Sequence, residues 1–101
     1  MPLFLDGKVH WVDLEEILYL SAKGHNVAIQ TLKKRYRPPQ SLRDLVTILT
    51  PFGFDDLSKN SLVRLDKIFI FDRRTKTVFF DKDRKIEGIR VSRSNLDKLP
   101  Y

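Results

Sequence analysis

No β-prone run in this sequence goes far before a turn signal interrupts it, and that punctuation constrains the fold more than any other feature. Asp6-Gly7 separates PLFL from KVHWVD, and Gly24 separates ILYLS from NVAIQTL. Lys33-Lys34, Pro38-Pro39, Pro51 with Gly53, Lys59-Asn60-Ser61, Arg73-Arg74-Thr75-Lys76 and Asp81 to Lys85 interrupt the rest of the chain. Runs this short, joined by tight turns, pair with their neighbours in hairpins, so the sheets are expected to be mainly antiparallel. The pattern predicts a mainly β fold of about eight to ten short strands with one short helix and a C-terminal helical turn.

Taken in order, Val9 and Trp11 alternate with Lys8 and His10, so one face of the first hairpin is expected to be buried. Asp13 is placed to cap a single helical turn, and strands are expected over 17–21 and 26–32. Residues 35–37 read as a short edge strand ended by Pro38-Pro39, because proline cannot donate to a ladder. Ser41 opens the helix, with Asp44 at capping spacing and Leu42, Leu45, Val46 and Leu49 repeating at helical intervals. The stretch FDDLSKNSLVRLDKIFIFD then changes character midway. Its polar half reads as a turn held out from the sheet, its apolar half as buried strand, an arrangement by which loops carry recognition on a rigid scaffold. Strands are expected at 67–72, 77–81 and 87–91. Phe69, Phe71, Phe79 and Phe80 read as core rather than as base-stacking platforms, since they alternate with aliphatics. Ser92 or Ser94 is expected to cap the terminal turn carrying Leu96 and Leu99.

The 101 residues suit one domain with one core, taken as residues 1–101. No run approaches the roughly 18 unbroken apolar residues of a membrane span, and MPLFLDGK lacks a secretory leader. With no cysteine, disulfide scaffolds and thiolate metal sites are excluded, and a cytoplasmic location is the expectation. The net charge of +6 is unevenly spread. The first thirty residues are slightly acidic, and the cations cluster at Lys33 to Arg37, Arg73 to Lys76 and Lys82 to Lys85. Such asymmetry fits a polyanion-binding face as well as plain solubility.

Catalytic chemistry finds no foothold. His10 and His25 are the only histidines and have no ligand spacing around them, so neither a metal nor another cofactor is expected. Asp55 and Asp56 are adjacent, and neighbours in a strand point to opposite faces rather than forming an acid and base pair. They read as capping or turn residues. No glycine-rich phosphate loop and no activated serine is present. A non-enzymatic protein is expected.

Four segments, DLEEILYLSAKGHNVAIQT, SLRDL, FDDLSKNSLVRLDKI and VSRSNLDKL, occur in the order and at the spacing of a known family. The chain resembles the LytTR-type DNA-binding domains, output modules of bacterial response regulators. The resemblance covers almost the whole chain. It implies an elongated arrangement of antiparallel sheets whose inter-strand loops enter successive major grooves of duplex DNA, and a role in transcription regulation. It also implies three contact positions: His25 in the AKGHN turn, Asn60 before the signature serine, and Arg93 in VSRS. Their chemistry agrees, since Arg93 can donate twice to guanine, Asn60 can pair with adenine or meet a phosphate, and His25 can donate to a base edge or phosphate. Lys23, Lys59, Ser61, Ser92 and Ser94 are expected to contact phosphate.

Two departures stand out: Lys59-Asn60 replaces a more frequent His-Arg pair, and Arg64 replaces the usual Asn after Leu62-Val63. Two copies on paired sites are expected, and an upstream receiver or sensor domain would lie outside this chain. The rival readings are a basic β module for RNA or single-stranded DNA, and a protein-interaction domain whose edge strand near Tyr36 pairs with a partner.

Overall fold

The structure, a computed structural model, describes residues 1–99. The chain opens with a hairpin of β1 (Pro2–Leu5) and β2 (Lys8–Trp11), whose Asp6-Gly7 turn takes positive φ at both residues, +53° and +75°. A sheet of five strands comes next, built from β3 (Ile17–Lys23), β4 (Asn26–Thr31), β5 (Arg35–Tyr36), β6 (Phe54–Ser58) and β7 (Ser61–Arg64) in the order β5-β4-β3-β7-β6. A last sheet has β9 (Thr77–Phe79) between β8 (Ile70–Asp72) and β10 (Ile89–Arg90). Every strand pairing is antiparallel. The helix, α1 (Leu42–Leu49), lies between β5 and β6 in the chain.

The strand β3 is the axis of the molecule because both of its faces are covered. Its pairing with β4 shifts between Ile17 and Tyr19, and this bulge turns the consecutive Leu18 and Tyr19 to the same side. Ile17 and Leu20 face the other way, where Ile29, Leu62 and Phe54 meet Leu45 and Leu49 of α1 and Leu3 and Val12 of the hairpin. Leu18 and Tyr19 join Leu57 and Val63 against Val78, Phe80, Ile89, Val91 and Leu99. The five-stranded sheet is thus a partition between two hydrophobic cores. In α1 the Asp44 N–H donates to Ser41 Oγ at 3.3 Å, the expected cap, and Leu45 and Leu49 are fully buried. Gly53, at φ +87°, ends the turn after the helix. Principal extents of 39 × 28 × 24 Å make the molecule elongated.

Several expectations are corrected. Trp11 is 81% exposed and Val9 56%, so the apolar face of β2 points outward. The cause is register: buried Leu3 fixes the inner face of the hairpin, and its cross-strand partner is His10, which packs against Tyr36, while Phe4 pairs with Val9 and Pro2 with Trp11 on the outside. The apolar run after Leu62 is also broken. A 3₁₀ turn at Leu65–Lys67 carries the chain from the five-stranded sheet to the three-stranded one, shortening the strand expected at 67–72 to Ile70–Asp72. Phe69 lies at that crossing and is 57% exposed, whereas Phe80 is buried and Phe71 and Phe79 partly so. Asp13 and Ser92 occupy cap positions of 3₁₀ turns without a side-chain cap bond. The short strand β5 does not leave a free edge beyond it: Arg37 bridges Phe4, with Phe4 N–H donating to Arg37 O at 2.7 Å and Arg37 N–H to Phe4 O at 2.9 Å. That contact obstructs strand addition beside Tyr36.

Candidate nucleic-acid interface

Pairing β3 with both β4 and β7 puts two turns at one end of the sheet. Lys23 pairs with Asn26 across the first turn and Ser58 with Ser61 across the second, and Ser21 pairs with Ser61 between them. The Ala22 N–H donates to Asn60 O at 2.8 Å, stapling the turns together. A third segment joins them when Ser92 donates to Leu57 O through both N–H (2.8 Å) and Oγ (3.2 Å), setting Arg93 beside β6. Lys98, at the end of the 3₁₀ turn Arg93–Lys98, anchors that segment from below. Its Nζ donates to Asp55 Oδ1 at 3.2 Å and Asp56 Oδ1 at 2.8 Å. Asp55 and Asp56 therefore share a partner, a correction to the turn or cap reading. The pairing of β6 with β7 is irregular between Asp55 and Ser58, which frees the two carboxylates from strict alternation. The hydrogen bond from Lys98 holds the Asp56 carboxyl below its ordinary pKa of 3.8 and raises the Lys98 ammonium above 10.5.

These segments border a groove of about 810 Å³ whose lining includes Asn60, Ser92 and Arg93 together with Arg74, Lys76 and Arg90. Among the described residues no carboxylate lines it. A smaller cavity of about 320 Å³ has His25, Arg37 and again Asn60 in its wall, and again no acid among the described residues. Asn60 is common to both, so the three sequence-predicted contacts fall in the order His25, Asn60, Arg93. All three side chains are exposed, and none makes a hydrogen bond or ion pair with a described residue. Their donors are available to a ligand.

The phosphate-contact candidates divide. Lys23, Lys59 and Ser94 are exposed. Ser61 is only 6% exposed and its Oγ lies 2.6 Å from Ser58 Oγ, while Ser92 Oγ is engaged with Leu57 and accepts from Asn95 Nδ2 at 2.6 Å. Arg74, Lys76 and Arg90 were not singled out by sequence. The basic turn was visible, but its place on the groove depends on a pairing distant in sequence, Val91 N–H to Lys76 O at 2.7 Å. Arg64, the unusual residue of the signature, is buried: its guanidinium donates to Leu14 O at 2.8 Å, Glu15 Oε1 at 3.0 Å and Asp66 Oδ1 at 3.2 Å, close to the Phe54 ring. It ties the β6–β7 hairpin to the turn before β3. Among the described residues no three of His, Asp and Glu are grouped where they could hold a metal, and no helix is long and apolar enough to cross a membrane.

The family model of the LytTr DNA-binding domain matches residues 7–100. The chain belongs to the LytTR family. Among solved structures it is similar to the LytTr DNA-binding domain of a response regulator from Bacillus cereus, at 19% identity and a TM-score of 0.75, over 97% of this chain and 90% of that one. No curated protein matches it. The mainly β, antiparallel architecture expected from the sequence is the LytTR fold, in a family of DNA-binding domains used in transcription regulation and not a family of enzymes.

Proposed function

We propose that this LytTR domain reads duplex DNA by sequence through the three segments at one end of its five-stranded sheet, with the outer loops entering major grooves on either side of Asn60. The observation that carries this reading is the acid-free groove and cavity meeting at Asn60, with His25 beyond it on one side and Arg93 on the other. Arg93 supplies base discrimination, because a guanidinium can donate two parallel bonds to guanine O6 and N7, worth about 1–3 kcal/mol against the wrong base. His25 contacts a base edge or phosphate in the neighbouring groove, and Asn60 the backbone or base edge between them. Lys23, Lys59 and Ser94 hold phosphates, which fixes register without reading sequence. In Ser61 and Ser92 the hydroxyls shape the loops that carry Asn60 and Arg93.

The domain acts as two copies on paired sites and regulates transcription, coupled to a receiver or sensor domain. A long dimension of 39 Å lets one copy cover about one 34–36 Å turn of duplex, so a second copy extends the reading. The test is selection from random duplex, then titration of the enriched site against scrambled duplex for wild type and Arg93→Ala. The expected result is a motif whose preference falls about 5- to 150-fold in the variant, the span of one lost bidentate contact. Sedimentation of the complex should show two copies. Equal competition by single-stranded DNA or RNA, or an unchanged preference in Arg93→Ala, would contradict the reading.

A further inference from the structure

We propose that the β8–β9 turn, through Arg74 and Lys76, together with Arg90 forms a clamp for the backbone phosphates of duplex DNA along the groove that Arg93 also lines. The clamp rests on the duplex-reading function above and enlarges its footprint beyond the three family loops. Four cations, Arg74, Lys76, Arg90 and Arg93, line this groove without a carboxylate among its described residues. The ion-paired cations of the described residues, Arg35, Arg64, Arg84 and Lys98, are none of them in it. Unneutralised cations gathered on one concave surface repel, and a row of phosphates relieves that repulsion while releasing counterions.

The turn is also preorganised. Asp72 Oδ1 accepts from Arg74 N–H at 2.9 Å and Thr75 N–H at 3.4 Å, and its Oδ2 accepts from Arg84 at 3.2 Å. The nearby acid is thereby committed to shaping the turn. Lys76 takes φ +56°, unusual for a residue with a side chain, and is held there by the Val91 N–H on its carbonyl.

Topology separates this turn from the other basic clusters. Lys33 and Lys34 sit in the β4–β5 turn, at the end of β4 opposite His25, and Lys82 to Lys85 lie between β9 and β10, at the end of β9 opposite Lys76. Neither cluster lines the groove. In the sequence the three clusters had equal standing; the fold brings Arg74 and Lys76 of one of them to the groove and only Arg37 of another to the neighbouring cavity.

The test measures affinity for the enriched duplex between about 50 and 200 mM salt for Arg74→Gln, Arg90→Gln and Lys76→Asn, the last because asparagine tolerates positive φ. Lys33→Gln and Lys82→Gln are controls, and circular dichroism verifies folding of each. Each groove substitution is expected to reduce the slope of log K against log salt by about 0.9, so the affinity lost over that range shrinks about three- to fourfold, with discrimination against scrambled duplex kept. The controls should keep the wild-type slope. Wild-type slopes in the groove variants of a protein that still discriminates would overturn the clamp alone, as would equal slope losses in the controls. A wild type that prefers no duplex would overturn the sequence-reading role and, with no specific complex left to hold, the clamp too.

Discussion

At the scale of single residues, Arg64 shows how a departure from a family pattern is absorbed. A long cation in place of a short amide lets the side chain reach Leu14, fifty positions earlier, and its exposure is only 8%. Its two acidic partners are solvated, Glu15 at 76% and Asp66 at 72% exposure, so the carbonyl bond and the packing on Phe54 outweigh the ion pairs. Arg64→Ala is expected to cost about 2 kcal/mol in urea denaturation, and Glu15→Gln less than about 1 kcal/mol. A larger effect from Glu15→Gln would mean that the ion pair dominates. The sequence marked Arg64 as a departure from the family pattern. It could not show the Leu14 carbonyl, because that acceptor belongs to a turn brought close only by tertiary folding.

At the scale of elements, turns were the legible part and the facing of strands was not. Asp6-Gly7, Gly24, Lys59-Asn60 and the Ser41 cap read directly, since each depends on local backbone preference. Trp11 and Val9 were misplaced because alternation specifies two faces without saying which is inward; the burial of Leu3 on the partner strand decides. Asp55 and Asp56 were misplaced because an irregular strand breaks the alternation that separates them. Their partnership with Lys98 gives the Arg93 segment a pH-dependent tether. The Asp56 carboxyl is lowered by the Lys98 hydrogen bond, so its contribution is present above its ordinary pKa of 3.8 and is lost as pH falls through the lower folded value. The Lys98 ammonium is raised, so its contribution is present below 10.5 and is lost as pH rises through the higher folded value. Lys98→Met is expected to lower the urea midpoint at neutral pH by an amount corresponding to about 1 kcal/mol or less, a gap that closes at both extremes. A gap independent of pH would show that Lys98 acts by packing alone.

At the scale of the whole molecule, the partition formed by the five-stranded sheet explains why the three candidate contact segments collect at one end. Two cores hold the sheet from both sides, so the turns at its end are short and stapled, and the terminal segment is drawn beside them through Leu57. The sequence supplied the motifs in order, which sufficed for family, fold and the three contact candidates. The part of the groove lined by Arg74, Lys76 and Arg90 arises only when β9 and β10 pack against the five-stranded sheet. The most direct measurement is amide chemical-shift mapping of the labelled domain with the enriched duplex. The largest changes are expected at 22–26, 58–61, 73–76 and 90–94, with the Lys33-Lys34 turn and the outward face of Val9 and Trp11 unchanged. Changes centred on Trp11, or on exposed Phe69 and its neighbours, with the four segments silent, would contradict this reading.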